Sequence, residues 1–191
     1  MELSNLLLTS AGFENPKIGE EFLLLINKPV SGIKILFIPT AAITEEQMKF
    51  VNESRFELLK LGIVADNIYN FNLDYQISYD EVKNVDAIYA CGGNTLHLLN
   101  KIKEIQFDII LRRLIDDGKL YVGVSAGSIV LGPKVKDQSG LNIIDTIIMP
   151  HYCDEFHEKL VIKRKQTEFS ITPLTDMQAL LVNDMKYQII E

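Results

Sequence analysis

One short stretch, from Tyr121 to Gly132, constrains the fold more than any other part of the sequence. It runs from apolar, β-favouring residues through Gly-Val-Ser-Ala-Gly into a second apolar run. The G-x-S-x-G pattern is typical of a nucleophile elbow, a sharp turn between a strand and a helix that presents a serine hydroxyl. Gly123 and Gly127 leave room where side chains would clash with the neighbouring strand and helix. Ser125 is therefore a candidate nucleophile, and an ordinary serine in a glycine-containing turn is the alternative.

The residue after this serine and a separate glycine pair offer main-chain N–H groups. A helix that begins after Ser125 points its unpaired N–H groups and the positive end of its dipole at the serine oxygen. The N–H of Ala126 can then stabilise an oxyanion. Gly92-Gly93 leads into another predicted helix and can supply a second donor. A phosphate-binding loop and a tight structural turn are the rival interpretations, although the glycine spacing of neither common phosphate loop is present.

Composition and charge exclude several classes of protein. The chain has 191 residues, of which 47% are apolar and 24% charged, and its formal net charge is −7. We therefore expect one globular domain over residues 1–191 and no nucleic-acid or anionic-membrane partner, because such partners require basic surfaces. The apolar runs are shorter than the roughly 18–20 residues that cross a bilayer, and without a signal peptide we expect a cytoplasmic location. Cys91 and Cys153 have the spacing of neither a disulfide framework nor a metal site, and we expect them to be packing residues.

Strands and helices alternate along most of the chain. Apolar runs predict strands over 6–9, 34–38, 67–73, 86–90, 120–124 and 143–149. Helical spacing predicts helices over 18–26, 45–61, 95–117 and 155–165, with a short turn at 78–82 and a polar surface loop over 134–140. Thr44 and Gln47 predict a capping box at the second helix, and a final hairpin over 178–182 and 187–190 turns around Asn183-Asp184. The alternation predicts a three-layer α/β fold with a mostly parallel sheet and helices on both faces.

A histidine follows the last of these central strands. His151 comes directly after a proline at the predicted carboxyl end of that strand. Ligand sites in parallel sheets lie beyond the carboxyl ends of the strands, so the glycine pair, the serine turn and this histidine can converge on one edge. His151 is therefore the candidate general base for the serine hydroxyl. His97 and His157 fall inside predicted helices, where we expect packed or solvent-facing side chains.

The carboxylate that should orient the imidazole has several candidates. Asp137 lies in the polar loop between the serine and the histidine. Asp145 lies at the start of the strand that leads to the histidine, and Asp154 and Glu155 follow the histidine closely. No spacing rule chooses among these four carboxylates, because the acid of such a triad is defined by geometry and not by sequence position. Asp137 is our prediction.

Three ordered motifs carry a family resemblance. They are the segments 91–99, 123–128 and 148–151, supported by 35–42 and 173–180. Together they resemble the peptidase S51 family, a family of serine peptidases that includes aspartyl dipeptidases. The resemblance implies a fold like the class I glutamine amidotransferase domain, with a serine in place of that group's cysteine. It also implies Ser125 as nucleophile, His151 as base, and the N–H groups of Gly93 and Ala126 as the oxyanion hole.

The chain departs from the family pattern in two places. Cys91 stands where the family has a further glycine, which leaves the N–H of the later glycine in place. The segment between Ser125 and His151 is short for the family. The family places its acid in that segment. Because the segment is short here, Asp137 has no residue match in the family pattern. The basic residue that would read an N-terminal aspartate has no match either, so aspartyl specificity is not carried over.

These observations predict a serine peptidase that hydrolyses small peptides through an acyl-enzyme. We expect neither a metal nor an organic cofactor, a small peptide substrate as the partner, and a monomer or a homodimer. An esterase or amidase that uses the same residues on non-peptide substrates is one alternative. A non-catalytic binding protein on the same fold is the other, and the short segment after Gly132 favours it.

Overall fold

The computed structural model describes residues 5–183 and 186–191. The strands are β1 (Asn5–Thr9), β2 (Ile35–Ile38), β3 (Ile68–Asn70), β4 (Ala87–Ala90), β5 (Leu120–Val124), β6 (Lys134–Val135), β7 (Gln138–Ser139), β8 (Thr146–Met149), β9 (Ser170–Pro173), β10 (Ala179–Asn183) and β11 (Lys186–Ile190). The helices are α1 (Pro16–Ile26), α2 (Glu45–Lys60), α3 (Tyr79–Val82), α4 (Thr95–Glu104), α5 (Phe107–Asp116), α6 (Ala126–Ile129) and α7 (His157–Lys165). Within the described ranges, no helix is both long and apolar enough to cross a lipid bilayer.

Seven strands form one mostly parallel sheet in the order β11-β10-β1-β5-β4-β2-β3. The five strands from β1 to β3 in this order run parallel, whereas β10 and β11 add an antiparallel hairpin at one edge. β5 lies between β1 and β4, with Val124 opposite Thr9 and Gly123 opposite Ala90. The loops that follow these three strands therefore open at the same edge of the sheet.

Alternate residues of the central strands enter two cores, one on each face of the sheet. Leu6 and Leu8 pack in one core with side chains of α4 and α5, such as Leu111. Leu7 packs in the other core with side chains of α1 and α2, such as Phe22. Because successive strand residues point to opposite faces, continuously apolar strands are what a sheet covered on both faces requires. The predicted α/β architecture is thereby confirmed.

β8 and β9 form a separate two-stranded parallel sheet. Met149 pairs with Pro173 at the carboxyl ends of these strands. So small a sheet depends on contacts outside itself, and Ile148 anchors β8 in the core that also contains α4 and α5. The strand predicted over 143–149 therefore begins only at Thr146 and lies in a different sheet from β5.

Two other sequence predictions need correction. The helix predicted over 95–117 is two helices, because Gln106 between them has a φ of 58° and a left-handed residue cannot continue a right-handed helix. The stretch predicted as a loop over 134–140 contains the paired strands β6 and β7. The predicted final hairpin pairs as expected, and Asp184 in its turn lies outside the described residues.

Thr44 caps α2 as predicted. Its hydroxyl accepts the N–H of Gln47 at 3.2 Å, and the side-chain oxygen of Gln47 accepts the N–H of Ile43 at 2.8 Å. The second bond of the predicted capping box therefore reaches one residue further back than Thr44. These two bonds fix where α2 begins.

Candidate active site

Ser125 occupies a strained turn between β5 and α6. Its φ is 46° and its ψ is −100°, a combination that costs free energy for any residue with a side chain. The glycines on either side are required by space. A Cβ on Gly123 would lie 2.7 Å from the main chain of α6, and a Cβ on Gly127 would lie 2.2 Å from the carbonyl oxygen of Ala90 in β4. The spacing of the sequence motif thus has a direct steric cause.

Buried hydrogen bonds tie this turn to the end of β1. The N–H of Ser125 donates to the carbonyl oxygen of Thr9 at 3.0 Å. The hydroxyl of Ser128 lies 2.8 Å from the carbonyl oxygens of both Thr9 and Gly123. The hydroxyl of Thr9 donates to the carbonyl of Gly123 at 3.1 Å. Because fully satisfied buried polar groups hold one geometry, the position of the Ser125 side chain is set by its main chain.

Two main-chain N–H groups of the predicted oxyanion hole lie at this edge. Ala126 is the first residue of α6, so its N–H has no partner within the helix. The glycine loop after β4 lies beside the serine, since a Cβ on Gly92 would stand 3.4 Å from the Cβ of Ser125. Gly93 has a φ of 141°, and a Cβ there would lie 2.2 Å from the carbonyl oxygen of Ala41. This position therefore requires glycine for both its dihedral angle and its space.

His151 reaches Ser125 from the loop after β8. Its Nε2 lies 3.0 Å from the Ser125 hydroxyl, and its Nδ1 lies 2.7 Å from Oδ1 of Asp176. The side chains of His151 and Asp176 are 53% and 51% exposed. The structure thus aligns a hydroxyl, an imidazole and a carboxylate through two hydrogen bonds, in the order that lets an imidazole take the hydroxyl proton.

The carboxylate beside His151 is Asp176, and the prediction of Asp137 for this place is wrong. Asp137 lies exposed between β6 and β7. Asp145, at the opposite end of β8 from the histidine, accepts a hydrogen bond from a tyrosine hydroxyl, that of Tyr187. The remaining two sequence candidates form an exposed 3-10 turn over residues 154–156.

Asp176 follows a strand that was not predicted from the sequence. Met149 and Pro173 are partners at the carboxyl ends of the parallel strands β8 and β9. His151 and Asp176 each follow one of these partners within a few residues, so the rule that parallel strands gather their following loops applies to them as well. Recognition of β9 as a strand would have placed Asp176 near His151.

A cavity of about 860 Å³ opens at Ser125 and His151. One face of α2 forms a wall, with Phe50, Glu53, Phe56, Glu57 and Lys60 among its lining residues. The phenyl rings of Phe50 and Phe56 are exposed. Glu14 and Asp176 also line the cavity, so three glutamates besides Asp176 stand against the single lysine of this lining.

Glu57 carries a perturbed carboxyl group in that wall. Burial raises the pKa of Glu57 above its ordinary value, the N–H of Phe13 opposes the rise, and nearby Glu14 and Glu53 add to it. The N–H of Phe13 donates to Oε2 of Glu57 at 3.0 Å. The cavity therefore contains a partly buried carboxylate whose ionised form gains from a cation nearby.

The other histidines and cysteines lie in different surroundings. Burial raises the pKa of the Cys91 thiol, which fits a packing residue, whereas Cys153 is exposed. The main-chain N–H of His97 donates to the capping side chain of Asn94. Nδ1 of His157 lies 3.3 Å from the hydroxyl of Tyr152, outside the Ser125–His151–Asp176 line. Cys91 and the two histidines agree with the roles expected from the sequence, whereas the packing role predicted for Cys153 is wrong because that residue is exposed.

Fold and site together define a class of protein, a hydrolase-like α/β protein. It presents a serine on a sharp strand-to-helix turn, with a histidine and a carboxylate in line, at the carboxyl edge of a parallel sheet. Unrelated hydrolases carry the same three groups in different orders along the chain, so geometry identifies such a site better than sequence position does.

Comparisons with known proteins specify the family. The model of Peptidase family S51 matches residues 6–190. An uncharacterised peptidase of Listeria innocua is 29% identical over 95% of this chain and 94% of its own length. A peptidase E of a Nostoc species is 30% identical over 72% of this chain and 62% of its own length. The crystal structure of a putative peptidase E from Listeria monocytogenes is similar with a TM-score of 0.78 and 26% identity, covering 99% of this chain and 98% of that one.

The chain belongs to peptidase family S51, and it is a peptidase, a hydrolase that acts on peptide bonds. The family resemblance drawn from the three sequence motifs is confirmed. So is the fold class, since the matching peptidase E structure has the class I glutamine amidotransferase-like architecture that the resemblance implied.

Proposed function

We propose that this protein is a serine peptidase that hydrolyses small peptides through an acyl-enzyme on Ser125. One observation carries the proposal, namely the unbroken line of hydrogen bonds from the Ser125 hydroxyl through the His151 ring to Asp176, at 3.0 Å and 2.7 Å. A serine hydroxyl is a weak nucleophile at its own pKa, and an aligned imidazole removes that limitation by taking the proton as the hydroxyl attacks.

Acylation follows from the geometry of these groups. Nε2 of His151 accepts the Ser125 proton while Oγ forms a bond to the carbonyl carbon of the substrate. Asp176 accepts the Nδ1 hydrogen bond and stabilises the imidazolium. The N–H groups of Ala126 and Gly93 donate to the oxyanion. His151 then returns the proton to the leaving amine as the carbon–nitrogen bond breaks.

Deacylation reverses the roles with water in place of the amine. His151 accepts a proton from a water molecule, which attacks the ester carbonyl, and then returns that proton to Oγ of Ser125 as the carboxylic acid product leaves. The half-exposed position of His151 admits this water from solvent. Each step uses side chains and main-chain groups of this chain alone.

The cavity supports a small substrate with a positively charged amino group. Its volume of about 860 Å³ lies within the range of roughly 300–1,000 Å³ typical of small-molecule sites. The three carboxylates at Glu14, Glu53 and Glu57 face a single lysine in the wall. The free amino group of a short peptide complements that charge, whereas an acidic side chain beside it does not. We do not extend aspartyl specificity to this chain for that reason.

The direct test is Ser125→Ala assayed against a panel of dipeptides and tripeptides. Because members of such a triad act as a unit, we expect loss of nearly all turnover. Ser139→Ala is the matched control, since it makes the same chemical change at an exposed serine in β7. Undiminished cleavage by Ser125→Ala would refute the proposal.

A fluorophosphonate probe separates the remaining alternatives. We expect the wild type and Ser139→Ala to be labelled and Ser125→Ala to remain unlabelled. A folded wild type that takes no label would point to a non-catalytic binding protein. A labelled protein that cleaves ester or non-peptide amide substrates in the same panel, and no peptides, would point to an esterase or amidase.

A further inference from the structure

Ser10 is adjacent to Thr9, which bonds to Ser125, and its own hydroxyl contacts both His151 and Asp176. It follows β1 directly, and its side chain is fully buried. Its hydroxyl donates to Oδ1 of Asp176 at 2.8 Å and accepts the main-chain N–H of His151 at 2.7 Å. Ser10 was assigned no role from the sequence.

The two hydrogen bonds fix each other's direction. Because the oxygen of Ser10 accepts the N–H of His151, its own hydrogen is free to point at the carboxylate. Asp176 then receives two donors on the same Oδ1 atom, the Ser10 hydroxyl and the Nδ1 group of His151. One buried hydroxyl therefore sets the distance between the main chain of the histidine and the side chain of the aspartate.

The histidine needs such support. His151 has a φ of 56°, in the left-handed region that is strained for a residue with a side chain. Its side chain and that of Asp176 are half-exposed, and exposed side-chain pairs hold their geometry weakly in water. A strained main chain and a solvated pair persist only where neighbouring groups determine their positions.

We propose that Ser10 is a positioning residue, which holds His151 and Asp176 in the alignment that activates Ser125. This inference rests on the proposed serine peptidase function. Ser10 makes no bond to substrate and takes no proton in the reaction. It acts through the orientation of the imidazole, and a displacement of about 1 Å in such a group can cost on the order of 10²-fold in rate.

The test is Ser10→Ala, with Thr146→Val as the matched control. The hydroxyl of Thr146 is also buried, and it pairs with Thr172 across β8 and β9 at 2.9 Å, away from His151. Both variants remove one buried hydroxyl; Ser10→Ala loses two hydrogen bonds and Thr146→Val loses one. We expect Ser10→Ala to lower kcat by about 10–100-fold with KM within about twofold, and Thr146→Val to lower thermal stability while leaving kcat unchanged.

A spectroscopic measurement reports the same alignment without turnover. The proton on Nδ1 of His151, hydrogen-bonded to Asp176, should give a low-field proton NMR signal in the resting wild type. We expect this signal to broaden or disappear in Ser10→Ala and to persist in Thr146→Val. A folded Ser10→Ala with wild-type kcat and an unchanged signal would overturn the positioning role, and so would an equal loss of kcat in Thr146→Val.

Two further experiments distinguish the remaining outcomes, namely a second variant of Ser10 and a parallel labelling assay. If Ser10→Ala does not fold, Ser10→Cys keeps the shape with a weak donor; reduced kcat in that folded variant supports the inference, and wild-type kcat overturns it. Ser125→Ala and fluorophosphonate labelling run in parallel. Failure of the wild type to label refutes the serine peptidase function, whereas a labelled Ser10→Ala with wild-type kcat refutes only the role of Ser10.

Discussion

The two halves of this active site are built in opposite ways. The serine half, residues 123–128, is almost wholly buried, and its main chain is fixed by steric limits at both glycines. The histidine half, His151 and Asp176 with the loops that carry them, presents half-exposed side chains from a separate two-stranded sheet. The contrast teaches that a rigid serine turn can be combined with a solvated histidine and aspartate, provided that one buried segment contacts both: Thr9 bonds to Ser125, and the adjacent Ser10 bonds to His151 and Asp176.

The largest effect should come from the histidine half without loss of folding. Asp176→Asn keeps the shape of the side chain and removes its charge, so we expect kcat to fall by about 10⁴-fold. Because the side chain is half-exposed, the free energy of unfolding should change by about 0.5 kcal/mol or less. Steady-state kinetics and thermal unfolding measure the two quantities. Asp137→Asn is the control, and a large loss of kcat there with none in Asp176→Asn would reverse the assignment.

A substitution in the serine half should instead lower the free energy of unfolding. In Gly127→Ala the new Cβ would lie 2.2 Å from the carbonyl oxygen of Ala90. We expect a loss of about 3 kcal/mol or more in the free energy of unfolding, the upper range for overpacking a core. Urea denaturation monitors it. Gly32→Ala is the control because its Cβ would come no nearer than 3.4 Å to a flexible lysine side chain, and equal stability of both variants would contradict the steric account.

A smaller effect concerns the cavity that both halves share. Because its wall carries Glu14, Glu53 and Glu57 against Lys60, we expect a dipeptide with N-terminal Asp to be cleaved with a kcat/KM about tenfold below that of its Asn counterpart. The two substrates differ in charge and hardly in size. High salt should narrow the difference, since it screens exposed charges. A preference for the Asp substrate would show that charge in this wall does not govern selection.

The smallest expected effect is on stability, at Glu57. Burial raises the pKa of Glu57 in the folded protein. The ionised carboxylate is therefore less favourable in the folded state than in the unfolded state, and its charge lowers the stability of the fold at neutral pH. Glu57→Gln should therefore gain less than about 1 kcal/mol at pH 7. The gain should shrink as pH falls toward the ordinary value of 4.5. Thermal unfolding across this pH range checks it, and a gain that grows at low pH would have the wrong sign.

The serine half was readable from sequence because its motif is short. Gly123, Ser125 and Gly127 lie within five residues; Gly123 is required by a contact within the turn, and Gly127 by the neighbouring strand β4. The apolar strands and the helices that alternate with them are equally local signals, which is why the layered fold followed from periodicity. His151 was found from its place after a strand.

The histidine half was only partly readable because it depends on pairing between distant segments. Ser170–Pro173 is a short strand that begins at an exposed serine and ends in a proline, so propensity alone gave no reason to predict it. Without β9, Asp176 had no reason to lie near His151, and Asp137 was chosen for its position along the chain. The break between α4 and α5 at Gln106 could not be predicted for a related reason, since glutamine has no propensity for the left-handed region that would mark it.

The turn at Thr9 and Ser10 has a consequence for how the enzyme comes into being during synthesis. Thr9 holds Ser125, while Ser10 reaches Asp176 across 166 positions of the chain. Such long loops close late, because their entropy is lost before distant contacts compensate for it. A nascent chain that has emerged only as far as Ser125 contains the serine turn without Asp176. On the proposed mechanism, peptidase activity therefore begins only after Asp176 has left the ribosome and Ser10 has bonded to it.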